Sequence, residues 1–125
     1  MGTVKRFEDL IAWQKARVLT REIYALVSGD SLGRDYGLKD QLQRVAVSIM
    51  ANIAEGFERG TDAEFHRFLT IARGSCAEVR SHLYVALDVG HIEQVRFTEL
   101  MLLAEETARV LGGLKTSVSR RKTGN

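Results

Sequence analysis

The sequence contains no proline, although average usage of about 5% would give a chain of 125 residues about six. Proline breaks the interior of helices and is common in turns. Its absence therefore favours long helices joined by tight links. The single cysteine, Cys76, excludes an internal disulfide framework and any zinc site built from several cysteines.

Long apolar runs are also missing. The longest largely apolar stretch, from Val45 to Ala54, is interrupted by polar residues, so no segment approaches the roughly 18 apolar residues that span a membrane. Acidic residues soon follow the basic pair Lys5-Arg6, which does not suit the apolar core of a signal peptide. We therefore expect a soluble cytoplasmic protein that does not associate with membranes.

Apolar residues recur at spacings of three and four along most of the chain, and no run shows the strict alternation of a half-buried strand. On the second helix this stripe is continuous and centred on Ile49. On the first helix the expected buried stripe is Phe7, Leu10, Ile11, Val18, Leu19, Ile23, Leu26 and Val27. The four predicted helices cover residues 7–27, 38–59, 61–90 and 93–118.

The links between these helices are short. Thr61 and Glu64 fit a capping box, in which Thr61 accepts from the Glu64 N–H and the Glu64 carboxylate reaches back. Only Gly60 and Thr61 join the second and third helices, so these two must be antiparallel neighbours. We predict an all-α, antiparallel up-down-up-down four-helix bundle over residues 1–118, followed by a basic C-terminal tail at residues 119–125.

Catalytic motifs are absent. The sequence has no HExxH, no phosphate-binding loop and no Gly-rich dinucleotide turn. Cys76 lies on the apolar stripe of the third helix, where core packing is the better interpretation than a nucleophile. The three histidines, His66, His82 and His91, are better interpreted as solvated or locally hydrogen-bonded than as metal ligands. We expect no enzyme, no cofactor and no metal site.

Polar residues form a ridge beside the apolar stripe of the second helix, and a similar ridge follows the third. The hairpin at Gly60 places Arg44 within about one helical turn of Glu78. We predict a structural network in which these two residues are paired, with ligand binding as the alternative. Its members are Gln41, Arg44, Ser48, Asn52, Glu55, Ser75 and Glu78.

Charge is uneven along the chain. Through Ala108 there are 13 basic and 16 acidic residues, whereas the five charged residues from Arg109 onward are all basic. Cations there can simply be solvated or oppose the helix dipole, but gathered from several subunits they would attract the phosphates of nucleic acid. A second candidate track is formed by Arg59, His66, Arg73 and Arg80, seven residues apart. The candidate nucleic-acid-binding residues are Arg73, Arg80, Arg109, Lys115, Arg120, Arg121 and Lys122.

The fourth helix carries two adjacent apolar lines together with Leu102, and the first adds Trp13 and Tyr24 away from its main stripe. A monomeric bundle needs only one apolar arc on each helix. The additional apolar surface on these two helices predicts an oligomer interface, with a scatter of ordinary exposed apolar residues as the alternative.

Several runs of residues are distinctive together: Phe7 to Ala16, Tyr36-Gly37-Leu38 with Gln41 and Arg44, Ser48 to Gly56, and Ala72 to Ser75 with Glu78. In this order they resemble the bacterial four helix bundle protein family, also called the 23S rRNA intervening-sequence protein family. The resemblance covers about residues 7–90. It implies a bundle that assembles into a ring-like homopentamer, with no established catalytic activity. A related branch is the accessory protein of diversity-generating retroelements, which binds reverse transcriptase and nucleic acid.

Two functional hypotheses follow. The first is a homo-oligomeric scaffold that associates with RNA or DNA through its basic residues. The alternative is a protein–protein interaction scaffold without nucleic-acid binding, in which the charges serve solubility. Salt-dependent binding of RNA or DNA would separate the two.

Overall fold

The computed structural model describes the backbone of residues 4–124 and the side chains of residues 4–121. This part of the chain contains helices and no strand, as predicted. A 3-10 turn at Phe7–Asp9 precedes the first α-helix. The α-helices are α1 (Ile11–Val27), α2 (Asp30–Arg34), α3 (Tyr36–Glu58), α4 (Asp62–Asp88) and α5 (Gln94–Gly124).

The four long helices pack in a closed cycle, because α1 and α4 each contact both α3 and α5. Ion pairs show their directions. Glu22 near the end of α1 pairs with Arg96 near the start of α5 at 2.6 Å, and Asp62 at the start of α4 pairs with Arg121 near the end of α5 at 3.0 Å. Neighbouring long helices therefore run antiparallel, and the prediction of an all-helical bundle is confirmed.

Helix α2 lies between the first two predicted helices, which end at residue 27 and begin at residue 38, in a stretch where no helix is predicted. This short helix places Leu32 in the core, where only 2% of its surface is exposed. The five-residue helix thus closes the end of the bundle between α1 and α3. Its length is too short for apolar periodicity to reveal it in the sequence.

The buried line of α1 differs from the expected stripe. Ile11 and Val18 are 56% and 38% exposed, so their predicted burial is wrong. Leu10, Leu19, Ile23 and Val27 are buried as expected. Within α1, the line of residues that faces the core starts at Ala12, one position after the first residue of the helix. This line contains two short alanine side chains, and it consists of Ala12, Ala16, Leu19, Ile23 and Val27.

Ile11 and Val18 border the same side of the molecule as Leu102 of α5, which is 61% exposed. We call these three residues the α1/α5 apolar strip. Trp13 was expected to add to the exposed apolar surface, but it does not, because its ring packs edge-on against Phe7 with centroids 5.3 Å apart. Tyr24, by contrast, is 46% exposed.

The link between α3 and α4 turns at Gly60, whose φ of 89° lies in the left-handed region that favours glycine. Half of the predicted capping box is present, since Thr61 Oγ1 accepts from the Glu64 N–H at 3.2 Å. The Glu64 carboxylate does not return to Thr61. It instead accepts from the guanidinium groups of Arg67 and Arg59.

Helix α5 continues to Gly124 and does not end at Val118 as expected. Val118 is fully buried, so the last turns of α5 extend directly from the core. The backbone of residues 119–124 is therefore an ordered helical extension of the bundle. None of the described helices is long and apolar enough to cross a membrane.

Candidate nucleic-acid interface

A groove of about 320 Å³ lies between α4 and the C-terminal half of α5. We call it the α4/α5 basic groove. Residues at spacings of three, four and seven share one face of a helix, which explains why each helix contributes a continuous wall. The residues that line the groove are His66 and Arg73 from α4, with Gly112, Lys115, Thr116, Ser119 and Arg120 from α5.

The groove brings together three of the predicted nucleic-acid-binding residues: Arg73, Lys115 and Arg120. None of the described residues that line it is acidic. Among the side chains of residues 4–121, no carboxylate lies within 4 Å of any of these three cations. Their positive charge is therefore not neutralised locally and can act on an anion.

Gly112 leaves room for Arg73 at the wall of the groove. A Cβ built on Gly112 would lie 3.4 Å from Arg73 Cζ and 3.6 Å from its Nη2. The guanidinium group thus rests against α5 instead of extending fully into water. A guanidinium held in this way keeps the planar set of donors that suits phosphate oxygens.

Arg80 lies seven residues beyond Arg73 on α4 but does not line the groove. Its Nε is buried and has no hydrogen-bond partner among the described atoms. Both arginines act on the buried thiol of Cys76 by lowering its pKa, yet burial outweighs them and raises that pKa to about 12. Cys76 is therefore protonated and packed in the core, as expected, and is unsuited to nucleophilic chemistry.

The remaining predicted residues do not join the groove. Arg109 is exposed and lies on α5 three turns before Arg120. Arg121 points to the Asp62 carboxylate, with Nη2–Oδ1 and Nε–Oδ2 distances of 3.0 and 3.4 Å. The side chain of Lys122 lies outside the described residues.

The proposed track through Arg59, His66, Arg73 and Arg80 is wrong at its first member. Arg59 caps the end of α3, where it pairs with Glu55 at 2.8 Å and lies over the Phe68 ring at 4.9 Å from its centroid. The turn at Gly60 interrupts the helical register, so a seven-residue spacing counted across it does not place Arg59 on the flank of α4.

The structure brings together three members of the predicted polar network. The Ser48 and Ser75 hydroxyls are 2.9 Å apart across the α3–α4 seam, and Asn52 Nδ2 donates to the Ser48 carbonyl and hydroxyl oxygens. Ser75 is buried. These groups satisfy one another's hydrogen-bonding capacity at the seam.

The predicted contact between Arg44 and Glu78 is not formed. Arg44 Nε instead donates to Asp40 Oδ2 at 3.0 Å on its own helix, and its side chain is 74% exposed. Glu78 is exposed on α4, and Gln41 is exposed on α3. Glu55 pairs with Arg59. The predicted polar network therefore crosses the α3–α4 seam only at its centre. Its four outer members are exposed, and two of them, Arg44 and Glu55, pair with residues of α3 and its C-cap.

A second polar cluster was missed by the sequence analysis. His91, in the link between α4 and α5, accepts or donates hydrogen bonds with Ser31 of α2 and with Asp35 between α2 and α3. The Nε2–Oδ2 distance to Asp35 is 2.9 Å. His91 is therefore hydrogen-bonded, but the expectation of solvation or of local hydrogen bonds is wrong, because its partners lie 56 and 60 residues away in the sequence.

Among the described residues, no three His, Cys, Asp or Glu side chains lie close enough to hold a metal ion. What the geometry of the described residues defines is an all-helical bundle with a groove that is lined by three of the predicted nucleic-acid-binding residues. The family model of the 23S rRNA-intervening sequence protein matches residues 8–113, and the chain belongs to this family.

A crystal structure with a similar fold is a protein of unknown function from the S23 ribosomal protein family of Bacteroides thetaiotaomicron. The TM-score is 0.74 and the sequences are 19% identical, with 84% of this chain and 98% of that chain covered. At this identity the likeness concerns the fold alone. No curated protein matches the chain.

Proposed function

We propose that the protein is a homo-oligomeric scaffold that binds RNA or DNA through the α4/α5 basic groove, a role that requires no catalysis. The observation that carries this proposal is the convergence of Arg73, Lys115 and Arg120 in one groove without an acidic lining residue. Phosphate contacts of this kind supply most of the affinity of sequence-independent nucleic-acid binding. The name of the family is consistent with an association with ribosomal RNA.

The groove favours contacts to the nucleic-acid backbone over contacts to bases. The described residues that line it include no Phe, Tyr or Trp on which a base could stack, and no Asn or Gln that could read base edges. Cations and hydroxyl groups bind phosphate oxygens instead. Binding is therefore expected to depend weakly on sequence and strongly on salt.

The test is fluorescence anisotropy with labelled RNA and DNA oligonucleotides over a series of salt concentrations. The variant Arg73→Gln/Lys115→Gln/Arg120→Gln removes three charges from each subunit. The slope of log affinity against log salt should become shallower by about 2–3. This variant is preferable to deletion of residues 119–125, since that deletion would also remove the Arg121–Asp62 ion pair.

A matched control removes the same charge elsewhere. Lys5, Arg21 and Arg34 are exposed and lie outside the groove, so Lys5→Gln/Arg21→Gln/Arg34→Gln should leave the salt slope unchanged. Equal losses in both triple variants would show that net charge, not the groove, governs binding. No binding by the unaltered protein at about 50 mM salt would overturn the proposal in favour of a protein–protein interaction scaffold.

We also infer that the α1/α5 apolar strip is covered by a second copy of the chain. Ile11, Val18 and Leu102 are large, exposed and close together, and such a surface is costly to leave in water. The family resemblance suggests that five copies assemble. In such an assembly, every subunit would add its own groove to a shared basic surface.

Native mass spectrometry and light scattering test the assembly. Leu102→Glu should lower the mass of the assembly, because it places a charge on the covered strip. Tyr36→Ser removes another exposed aromatic residue, which lies at the start of α3 and outside the strip, and should leave the mass unchanged. A monomer at micromolar concentration would contradict self-association, whereas a stable dimer or tetramer would contradict only the pentamer.

A further inference from the structure

Three side chains from separate segments form a continuous hydrogen-bonded relay beside α2. Ser31 Oγ bonds to His91 Nδ1, and His91 Nε2 bonds to Asp35 Oδ2 at 2.9 Å. Serine hydrolases of unrelated folds join a nucleophile, a base and a group that orients the base in the same order, but with the roles of the two imidazole nitrogens exchanged. The relay lies outside the α4/α5 basic groove and takes no part in the proposed nucleic-acid binding.

The partners of Asp35 determine how protons are placed along the relay. Hydrogen bonds from His91 and from the Leu38 N–H hold the pKa of the Asp35 carboxyl below its ordinary value of 3.8. Asp35 is therefore a carboxylate at neutral pH and can only accept. The neutral imidazole must then carry its proton on Nε2, which leaves a lone pair on Nδ1 to accept from the Ser31 hydroxyl.

Exposure differs among the three groups in the way that a reactive site requires. Ser31 is exposed, whereas the His91 side chain is only 15% exposed. A groove of about 560 Å³ is lined by His91, by the apolar side chains of Leu26, Ile92 and Val95, and by the charged side chains of Glu93, Arg96 and Glu99. Ser31 does not line this groove, but its hydroxyl is bonded to His91, which does, so a small acyl group on Ser31 would lie beside the groove.

We propose that Ser31 is an activated nucleophile that takes an acyl group from small carboxylic esters, with His91 as general base and Asp35 as a positioning residue. Ser31 Oγ forms a bond to the carbonyl carbon while its proton passes to His91 Nδ1. The tetrahedral intermediate expels the alcohol, which leaves with that proton. Water then attacks the acyl-serine, His91 again transfers the proton, and the carboxylic acid is released.

The expected acceleration of ester cleavage is the one that general-base assistance by His91 provides. The oxyanion forms on the exposed side of Ser31, where water solvates it, and general-base catalysis alone contributes about 10²-fold. Esters with a good leaving group, such as p-nitrophenyl acetate, are therefore the appropriate probe.

The test combines the rate of p-nitrophenyl acetate hydrolysis with mass spectrometry of the acetylated protein. Ser31 should carry the acetyl group, and the acylation rate is measured over a range of pH. Ser31→Ala and His91→Gln should each lower this rate by about 10²-fold. Thermal melting of each variant establishes that it is folded.

Ser28 provides a matched control within the same link. It is exposed like Ser31, but its Oγ donates to the Ala25 carbonyl oxygen at 2.7 Å and has no imidazole partner. Ser28→Ala should leave the rate unchanged. Acetylation of Ser31 no faster than Ser28, or a Ser31→Ala variant with the original rate, would overturn the proposal.

Asp35→Asn tests the positioning role. Asparagine caps helices about as well as aspartate, so α3 should keep its cap and the variant should stay folded, which its cooperative thermal melting establishes. The neutral amide no longer fixes the imidazole tautomer, so the rate should fall by at least about tenfold. An unchanged rate and pH profile in this variant would remove Asp35 from the relay.

Discussion

Gly56 of α3 lies directly against Phe68 of α4. A Cβ built on Gly56 would be only 2.6 Å from Phe68 Cβ and 3.2 Å from Phe65 Cδ1. Both neighbours are buried, and a Cβ atom cannot move away without its backbone. The two helices therefore approach closely at this point because one of them has no side chain there.

Replacing Gly56 with alanine should destabilise the protein, although alanine favours helix formation. Overpacking of this kind costs typically about 1–3 kcal/mol. Gly74→Ala is the matched control, because Gly74 is also inside a helix but a Cβ built on it would meet nothing within 4 Å. Gly74→Ala should stabilise the protein by about 0.5–1 kcal/mol, because alanine favours the helix more than glycine does. Urea denaturation measures both changes, and the same sign for both variants would contradict the close approach.

Ile49→Asp should unfold the protein. Ile49 is fully buried at the centre of α3, and an unpaired carboxylate there costs several kcal/mol, comparable with the stability of a whole domain. Val47 lies two residues away and is 42% exposed, so Val47→Asp should keep the helical circular dichroism signal and melt cooperatively. Retention of native melting by Ile49→Asp would show that the assigned buried face of α3 is incorrect.

Ser48 and Ser75 should be energetically coupled, since their hydroxyls are 2.9 Å apart across the seam. A double-mutant cycle with Ser48→Ala and Ser75→Ala should give an interaction energy of at least about 0.5 kcal/mol in the free energy of unfolding. The cycle of Arg44→Met with Glu78→Gln should instead be additive, because Arg44 pairs with Asp40. Coupling in the second cycle but not in the first would reverse this assignment.

Asp35 should contribute to stability only while it is ionised. Its pKa is lowered in the folded protein by the hydrogen bond to His91 and by the Leu38 N–H, so the contribution is present above its ordinary pKa of 3.8 and is lost as the pH falls through the folded value. Between about pH 5 and pH 2.5, Asp35→Asn should therefore lose less unfolding free energy than the unaltered protein. Asp30→Asn removes an exposed carboxylate of α2 and should follow the unaltered protein; equal acid sensitivity in all three would contradict a role for Asp35.

Gly112→Leu should weaken nucleic-acid binding without changing any charge. A leucine side chain would occupy the space where Arg73 approaches α5, since even a Cβ there lies 3.4 Å from Arg73 Cζ. Gly113→Leu is the control, because a Cβ at that position would meet nothing within 4 Å. Anisotropy measurements at one low salt concentration should separate the two variants. Equal affinities would show that binding depends on the basic residues but not on the shape of the groove.

The four long helices were predictable because each carries an apolar stripe over many turns. In addition, Gly60 and Thr61 mark a clear start for α4. The α1 stripe was misplaced because Ala12 and Ala16 carry little hydrophobic signal beside Ile11 and Val18. Their burial depends on where the helix begins and how closely its neighbours approach. Neither is a local property of the sequence.

Part of the candidate site, the pairing of basic residues from α4 and α5, was predictable from the order of the helices. Arg73 and Lys115 share a groove because α4 and α5 are antiparallel neighbours, which helix order suggests. The direction of each long side chain depends on the nearest carboxylate, so Arg121 joins Asp62 and Arg44 joins Asp40. The relay at His91 could not be predicted, because it requires the segment between α1 and α3 to meet the link between α4 and α5 at one end of the bundle.

The link at Gly60 also has a consequence for the order of folding. It joins α3 and α4 through only a few residues, so closing this helical hairpin costs little chain entropy. Packing α1 against α5 must instead close most of the chain. We expect the α3–α4 hairpin to form early in the folding transition state, so that substitutions at its seam slow folding, whereas those on α1 mainly accelerate unfolding.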